Sequence, residues 1–179
     1  SSADCFDRLF AADWDLAIGR FDAAPDGIKR APLFSDQIVC LARVGHPRIE
    51  EELTLDGYLE EAHLSIEAGL AGDQPFTIED VLRSQGLERR VVSRLENLAM
   101  APFVVARTDL ICTAPRRTIE PFASGMGLRI LEPPFETPAF ELELAWHASV
   151  EADPANTWLR ESIAASAALR PRLPGRSQA

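Results

Sequence analysis

Three histidines, His46, His63 and His147, are the side chains in this 179-residue sequence best suited to proton transfer or metal binding near neutral pH. They stand far apart, with no H-E-x-x-H and no cysteine at ligand spacing, so no metal site is assigned. His46 precedes Pro47 in what reads as a surface turn, and His147 lies on the polar side of a strand; both are expected to be solvated or hydrogen-bonded structural groups. Glu50-Glu51-Glu52 and Glu60-Glu61 place carboxylates at adjacent positions, whose side chains diverge, and they read as a solvated acidic edge. No G-x-S-x-G, Walker A or G-x-G-x-x-G string occurs. The residues therefore support no enzyme: no catalytic residue and no cofactor is assigned.

A more useful set lies at strand ends: Gly19-Arg20-Phe21, the loop Ala68–Phe76, and Glu96-Asn97-Leu98 where a strand becomes a helix. In open α/β sheets ligands bind beyond the carboxyl ends of the strands, and the free N–H groups of a helix start favour an anion. Arg20 is suited to grip a carboxylate through paired hydrogen bonds; the alternative is a solvated arginine. Arg83, Arg89, Arg90 and Arg94 form the one basic cluster, read as a solvated helix end and loop, with a partner surface as the alternative. Trp14, Trp146 and Trp158 occupy apolar positions and read as core.

The elements that must position these residues follow from periodicity. Phe140, Leu142, Leu144 and Trp146 alternate with Glu141, Glu143 and His147, the pattern of a half-buried strand. Asp153 then caps a helix opened by Pro154, with Ala155, Trp158, Leu159 and Ile163 on one face. Upstream, the pattern predicts a helix over Ala3–Ala11, a strand over Trp14–Gly19, a turn at Pro25-Asp26-Gly27 and two extended segments between Ile28 and Val44. Strands at His63–Glu67, Arg90–Leu95, Leu110–Thr113 and Leu128–Glu132 then alternate with helices over Ile78–Gln85, from Asn97 to about Arg107 with a first turn that Pro102 makes irregular or kinked, and over Pro115–Ser124. Such alternation argues for an α/β fold with a mainly parallel sheet and helices on both faces.

Composition narrows the partners. A net charge of −10 opposes contact with phosphate backbones, so this segment is not expected to touch DNA itself. No apolar run approaches the roughly 18–20 residues that cross a bilayer, and no export signal opens the chain, so no membrane partner is expected. Cys5, Cys40 and Cys112 are odd in number and set in apolar contexts, as buried free thiols of a reducing cytosol would be.

Several strings resemble one family. They are D-L-A-I-G at Asp15–Gly19, P-L-F at Pro32–Phe34, V-C-L-A-R-x-G-H-P from Val39 to Pro47, G-L-x-R-R-V at Gly86–Val91, and W-H with D-P-A-x-x-W-L-R between Trp146 and Arg160. In order and spacing, over nearly the whole chain, they resemble the effector-binding domain of LysR-type bacterial transcriptional regulators. The combination of P-P before the long strand with W-H and W-L-R after it most resembles the branch that senses aromatic compounds and related acids.

The resemblance implies a type-2 periplasmic-binding-protein-like fold: two α/β lobes joined by two crossing strands, near Gln37–Arg43 and Phe140–Trp146, with an effector in the cleft. The first lobe would comprise residues 1–45 and 137–170, the second 46–136, and 171–179 would be a tail. Effector contacts carried onto matching positions are Ser2, Arg20, Phe21, Phe76, Glu96, Asn97 and Leu98. The implied partners are a small-molecule effector and a second or further copies in a homodimer or homotetramer, in the cytoplasm. DNA would be met only through an N-terminal helix-turn-helix domain absent from this chain. Family members also carry, before the residues matching Ser1–Asp4, the first strand, helix and second strand of the first lobe. That lobe is thus expected to be incomplete, as in a piece of a longer protein or one whose gap another chain fills. The competing readings are a transport-type solute-binding protein and an α/β enzyme.

Overall fold

The computed structural model describes residues 2–21, 23–66, 77–123, 125–137 and 140–168, the side chain of Ser2 excepted. The chain divides into two units, one of residues 2–35 and 140–168 and the other of 36–66 and 77–137.

In the first unit, helix α1 (Ser2–Phe10) precedes strands β1 (Ala17–Gly19) and β2 (Ile28–Asp36). The turn between the strands closes by a hydrogen bond from the Ile28 N–H to the Pro25 carbonyl, 3.1 Å, and Gly27 takes a φ of 92° that favours glycine. A long strand and a long helix from the C-terminal part of the sequence complete the unit. The strand, Phe140–His147, lies between β1 and β2, and its register with β1 is antiparallel, Ile18 opposite Leu144. The helix, Pro154–Ala168, starts where the Asp153 carboxylate accepts from the Asn156 N–H at 2.8 Å. Phe6, Leu9, Ala17, Phe21, Ile28 and Ala145 form the core.

The second unit carries β3 (Ile38–Arg43), α2 (Leu55–Glu60), β4 (Ala62–Ile66), α3 (Ile78–Ser84), β5 (Arg90–Leu95), α4 (Ala101–Val105), β6 (Ile111–Pro115), α5 (Arg116–Ala123) and β7 (Leu128–Leu131). In chain order the strand and helix that complete the first unit become β8 and α6. Thr77 opens α3 as expected, its hydroxyl oxygen accepting from the Asp80 N–H at 3.1 Å, and Gly86 ends it with a φ of 72°.

The five strands lie in the order β5-β4-β6-β3-β7. β4 is parallel to β5 and to β6, while β3 is antiparallel to both β6 and β7. The mainly parallel sheet read from the alternation therefore holds for four of these five strands and fails for β3. Strands β4 to β7 do run one way, as helical crossovers require, but β3 arrives from β2 without a crossover and enters reversed between β6 and β7. On one face Val39, Leu41, Leu64, Cys112 and Ala114 meet Ala101, Val105 and Ile119 of α4 and α5. The alternate positions Cys40, His63, Ser65 and Thr113 point to the opposite face, where the burial is polar.

Three tryptophans were expected in the core, and only Trp146 is there. Trp14 is 45% and Trp158 67% exposed. On α6, Leu159 and Ile163 are half-buried whereas Ala155 is exposed. Cys40 and Cys112 are buried free thiols, and Cys5 is only partly buried.

Candidate functional site

In the second unit, Ile66 and Leu95 are register partners, so the carboxyl ends of β4 and β5 lie side by side. Just beyond β5, Glu96 and Asn97 are exposed and Leu98 half-buried, packed against the apolar core. The Asn97 side-chain oxygen accepts from the Ala99 N–H at 2.9 Å and so caps a 3-10 turn, Leu98–Met100. The helix expected from Asn97 to about Arg107, with an irregular or kinked first turn at Pro102, is this turn followed by the short α4. Pro102, which lacks a donor N–H, falls in the first turn of α4, where that loss is tolerated. A turn and a helix this short carry little aligned dipole, so the start of the element is no anion site by itself.

In the first unit, Ser2 begins α1 and Arg20 follows Gly19 at the end of β1. The Arg20 guanidinium carbon lies 5.9 Å from the centre of the Phe140 ring, a cation–π contact on a half-buried side chain. Phe21 is buried, its ring 5.4 Å from that of Phe6. Its carbonyl accepts from Arg30 Nη1 at 2.6 Å, and the same nitrogen pairs with Glu143 at 3.0 Å, which fixes the backbone beside Arg20. Phe76 lies outside the described residues. The structure thus groups Glu96, Asn97 and Leu98 in one unit and Ser2, Arg20 and Phe21 in the other.

Reading the sequence missed a buried polar network on the second face of the five-stranded sheet. Arg89, placed among the solvated arginines, has a side chain only 2% exposed. Its Nη2 donates to Glu79 Oε1 at 2.7 Å and to Ser65 Oγ at 3.4 Å, and its Nη1 donates to the Tyr58 hydroxyl at 3.1 Å. That hydroxyl lies 2.8 Å from Thr113 Oγ1, which in turn sits 3.6 Å from Cys40 Sγ. Burial would raise the Glu79 carboxyl, but hydrogen bonding and charge from Arg89 outweigh it and hold the pKa below the usual range. Burial likewise would lower Arg89, and Tyr58 and Glu79 together drive it up instead. Tyr58 itself is pushed up to about 12, chiefly by burial. The signal that was available is the polar side chains at alternate positions of apolar strands, His63 and Ser65 on β4 and Thr113 on β6.

His63 shows what that face does to a titratable group. Its Nε2 lies 2.7 Å from the Tyr58 carbonyl and its Nδ1 has no hydrogen-bond partner. Burial, with the nearby Arg89 charge adding, lowers the imidazole to about 4. Cys40 and Cys112 are pushed up to about 12 by burial, so neither is a thiolate nucleophile. Two further expectations need correcting. His46 is buried rather than at the surface; its Nδ1 accepts from the Arg48 N–H at 3.3 Å, which leaves Nε2 to donate to the Asp109 carbonyl at 3.0 Å. Glu61, read as part of an acidic edge, is buried and gripped by both Nε and Nη2 of Arg48 at 2.6 Å. Among the described residues no group of three metal-ligating side chains comes together, and no helix is long and apolar enough to cross a membrane.

The LysR substrate binding domain family matches residues 1–168. The chain belongs to the LysR substrate-binding domain family. Among its relatives, the HTH-type transcriptional regulator SyrM 1 of Sinorhizobium fredii is 35% identical over 160 residues, spanning 89% of this chain and 47% of that protein. The HTH-type transcriptional activator NahR of Pseudomonas putida is 30% identical over 161 residues, spanning 90% of this chain and 53% of that protein. The regulatory domain of MexT, a transcriptional activator in Pseudomonas aeruginosa, superposes with a TM-score of 0.71 at 30% identity, covering 90% of this chain and 76% of that one. The chain spans about half the length of the curated relatives it matches. As a LysR effector-binding domain it has the periplasmic-binding-protein-like α/β architecture, one sheet in each unit.

Proposed function

We propose that this chain is the sensing part of a longer cytoplasmic transcriptional regulator and that its effector is a small, aromatic or aliphatic carboxylic acid. Its contacts are Ser2, Arg20, Phe21, Phe76, Glu96, Asn97 and Leu98. Effector binding biases the arrangement of the two units and so repositions DNA-binding domains attached elsewhere in a homodimer or homotetramer. The observation that carries this reading is the family match over residues 1–168, together with relatives named as transcriptional regulators. Two features of the site support it. Arg20 is a half-buried cation beside an aromatic ring at a strand's carboxyl end, a setting suited to an aromatic acid. Glu96, Asn97 and Leu98 follow the carboxyl end of another.

The test is thermal denaturation of the full-length protein with benzoate, salicylate, succinate and, as the neutral control, benzamide. A ligand that binds only the folded state raises Tm with concentration, and chromatography should recover it unchanged. Arg20→Ala should weaken binding of the best acid by about tenfold, the scale of one charge-assisted contact. An unaltered response in that variant would remove Arg20 from the site, and consumption of the ligand would favour an enzyme.

A further inference from the structure

We infer that Arg89 is a positioning residue for effector binding: one buried guanidinium ties the carboxyl end of β4 to the first turn of α3. This rests on the proposed sensing function. Ser65 is the last residue but one of β4 and Glu79 the second residue of α3. Arg89 Nη2 donates to both of them, Nε adds a second contact to Glu79 Oε1 at 3.3 Å, and Ser65 Oγ donates to the same oxygen at 3.0 Å. The strand end and the helix start are therefore locked in a closed three-residue ring of hydrogen bonds. They bracket residues 67–76, where the proposed contact Phe76 lies. Because Ile66 pairs with Leu95, a shift of the β4 end is also passed to Glu96, Asn97 and Leu98.

Nη1 supplies the fixed point. It donates to the Tyr58 hydroxyl, so α2, α3 and β4 share one cation, and that hydroxyl joins them to Thr113 on β6. A buried ion pair is a poor device for stability, since well-packed apolar side chains serve as well or better, but it fixes geometry because each hydrogen bond has a direction. The planar fork of arginine makes the three contacts at once. A lysine ammonium, a point charge on a flexible stem, is not matched to them. Nothing in the arrangement requires Arg89 to touch the effector.

The experiment measures hydrogen–deuterium exchange and benzoate affinity on the full-length protein for wild type, Arg89→Met, Arg89→Lys and the milder Glu79→Gln. Arg48→Met, which breaks a different ion pair of the same unit, is the control. In the Arg89 variants, amides of residues 62–66 and 77–82 should exchange at least tenfold faster while those of β3 and β7 keep their protection. Benzoate Kd should rise tenfold or more, with Arg89→Lys no better than a partial rescue and Arg48→Met without effect. Glu79→Gln should show the same local pattern more weakly and decides the matter if the Arg89 variants do not fold. Faster exchange spread evenly over the unit, or local loosening with an unchanged Kd, would overturn the positioning role. If wild type binds no benzoate, the choice of effector class fails, and the exchange pattern alone decides whether Arg89 ties the two ends.

Discussion

In the five-stranded unit the central strands are covered on both faces: Val39, Cys40 and Leu41 on β3, and Ile111 and Cys112 on β6, have no exposed surface. In the three-stranded unit β1 is a sheet edge of three residues, and Ile18 on it is 45% exposed beside the exposed Trp14. A groove lined by Cys5, Trp14, Leu16, Ile18, Leu159 and Ile163, with Asp13 and Asp15 also in its lining, runs along that edge. Among the described residues β1 pairs only with β8, whereas β3 and β6 each have a strand on both sides. A central strand in a five-stranded sheet has neighbours on both sides and helices on both faces, so apolar side chains at every position are buried. A three-residue edge strand pairs on one side only and leaves apolar surface in water. Each unit has its own apolar core, so each can be probed separately. All three tryptophans belong to the first unit and the one tyrosine to the second.

The largest expected effect is at β3. Leu41→Ala deletes a fully buried side chain with strands on either side and should cost about 2–5 kcal/mol, read from urea unfolding by far-ultraviolet circular dichroism. Ile18→Ala on the half-exposed edge should cost much less; equal losses would break the comparison. Next comes His63, whose imidazole titrates near 6.5 when unfolded and at about 4 when folded. Between those values the unfolded chain binds more protons, so stability falls as pH drops from 6.5 to 4. The loss is on the order of 3 kcal/mol for a group shifted this far. His63→Leu should flatten that part of the pH profile; a profile unchanged in the variant would show that other groups control it. The smallest effect belongs to the first unit. Trp158→Ser should alter stability by less than about 0.5 kcal/mol, because that side chain already faces water, yet should reduce binding of a hydrophobic dye. A loss of several kcal/mol would mean that Trp158 is covered in solution.

Much of the fold was legible because its signals are short in range. β5 spans Arg90–Leu95 as the alternation predicts, and the Thr77 and Asp153 caps sit where those residue types bond to N–H groups two or three positions on. The irregular start after Asn97 follows from Pro102 in the same way. The strand ends carrying Arg20 and Glu96-Asn97-Leu98 were legible too, since a strand's end is set by where its own pattern stops. Arg89 and Glu61 were not. A charged residue in a run of charged residues looks solvated, and only a partner distant in sequence, Tyr58 thirty-one positions before Arg89 or Arg48 thirteen before Glu61, reveals that it is buried.

What the sequence determined by itself, then, is the order and approximate place of most strands and helices, and, through its strings from Asp15 to Arg160, the family. Those follow from contacts within a few residues and from motif spacing. Only the tertiary structure decided that β3 runs against the other four strands of its sheet, that Trp14 and Trp158 face water while Trp146 does not, and that the cation of Arg89 is shared by α2, α3 and β4. Burial and strand direction are properties of what lies alongside an element, and residues far apart in the chain supply those neighbours.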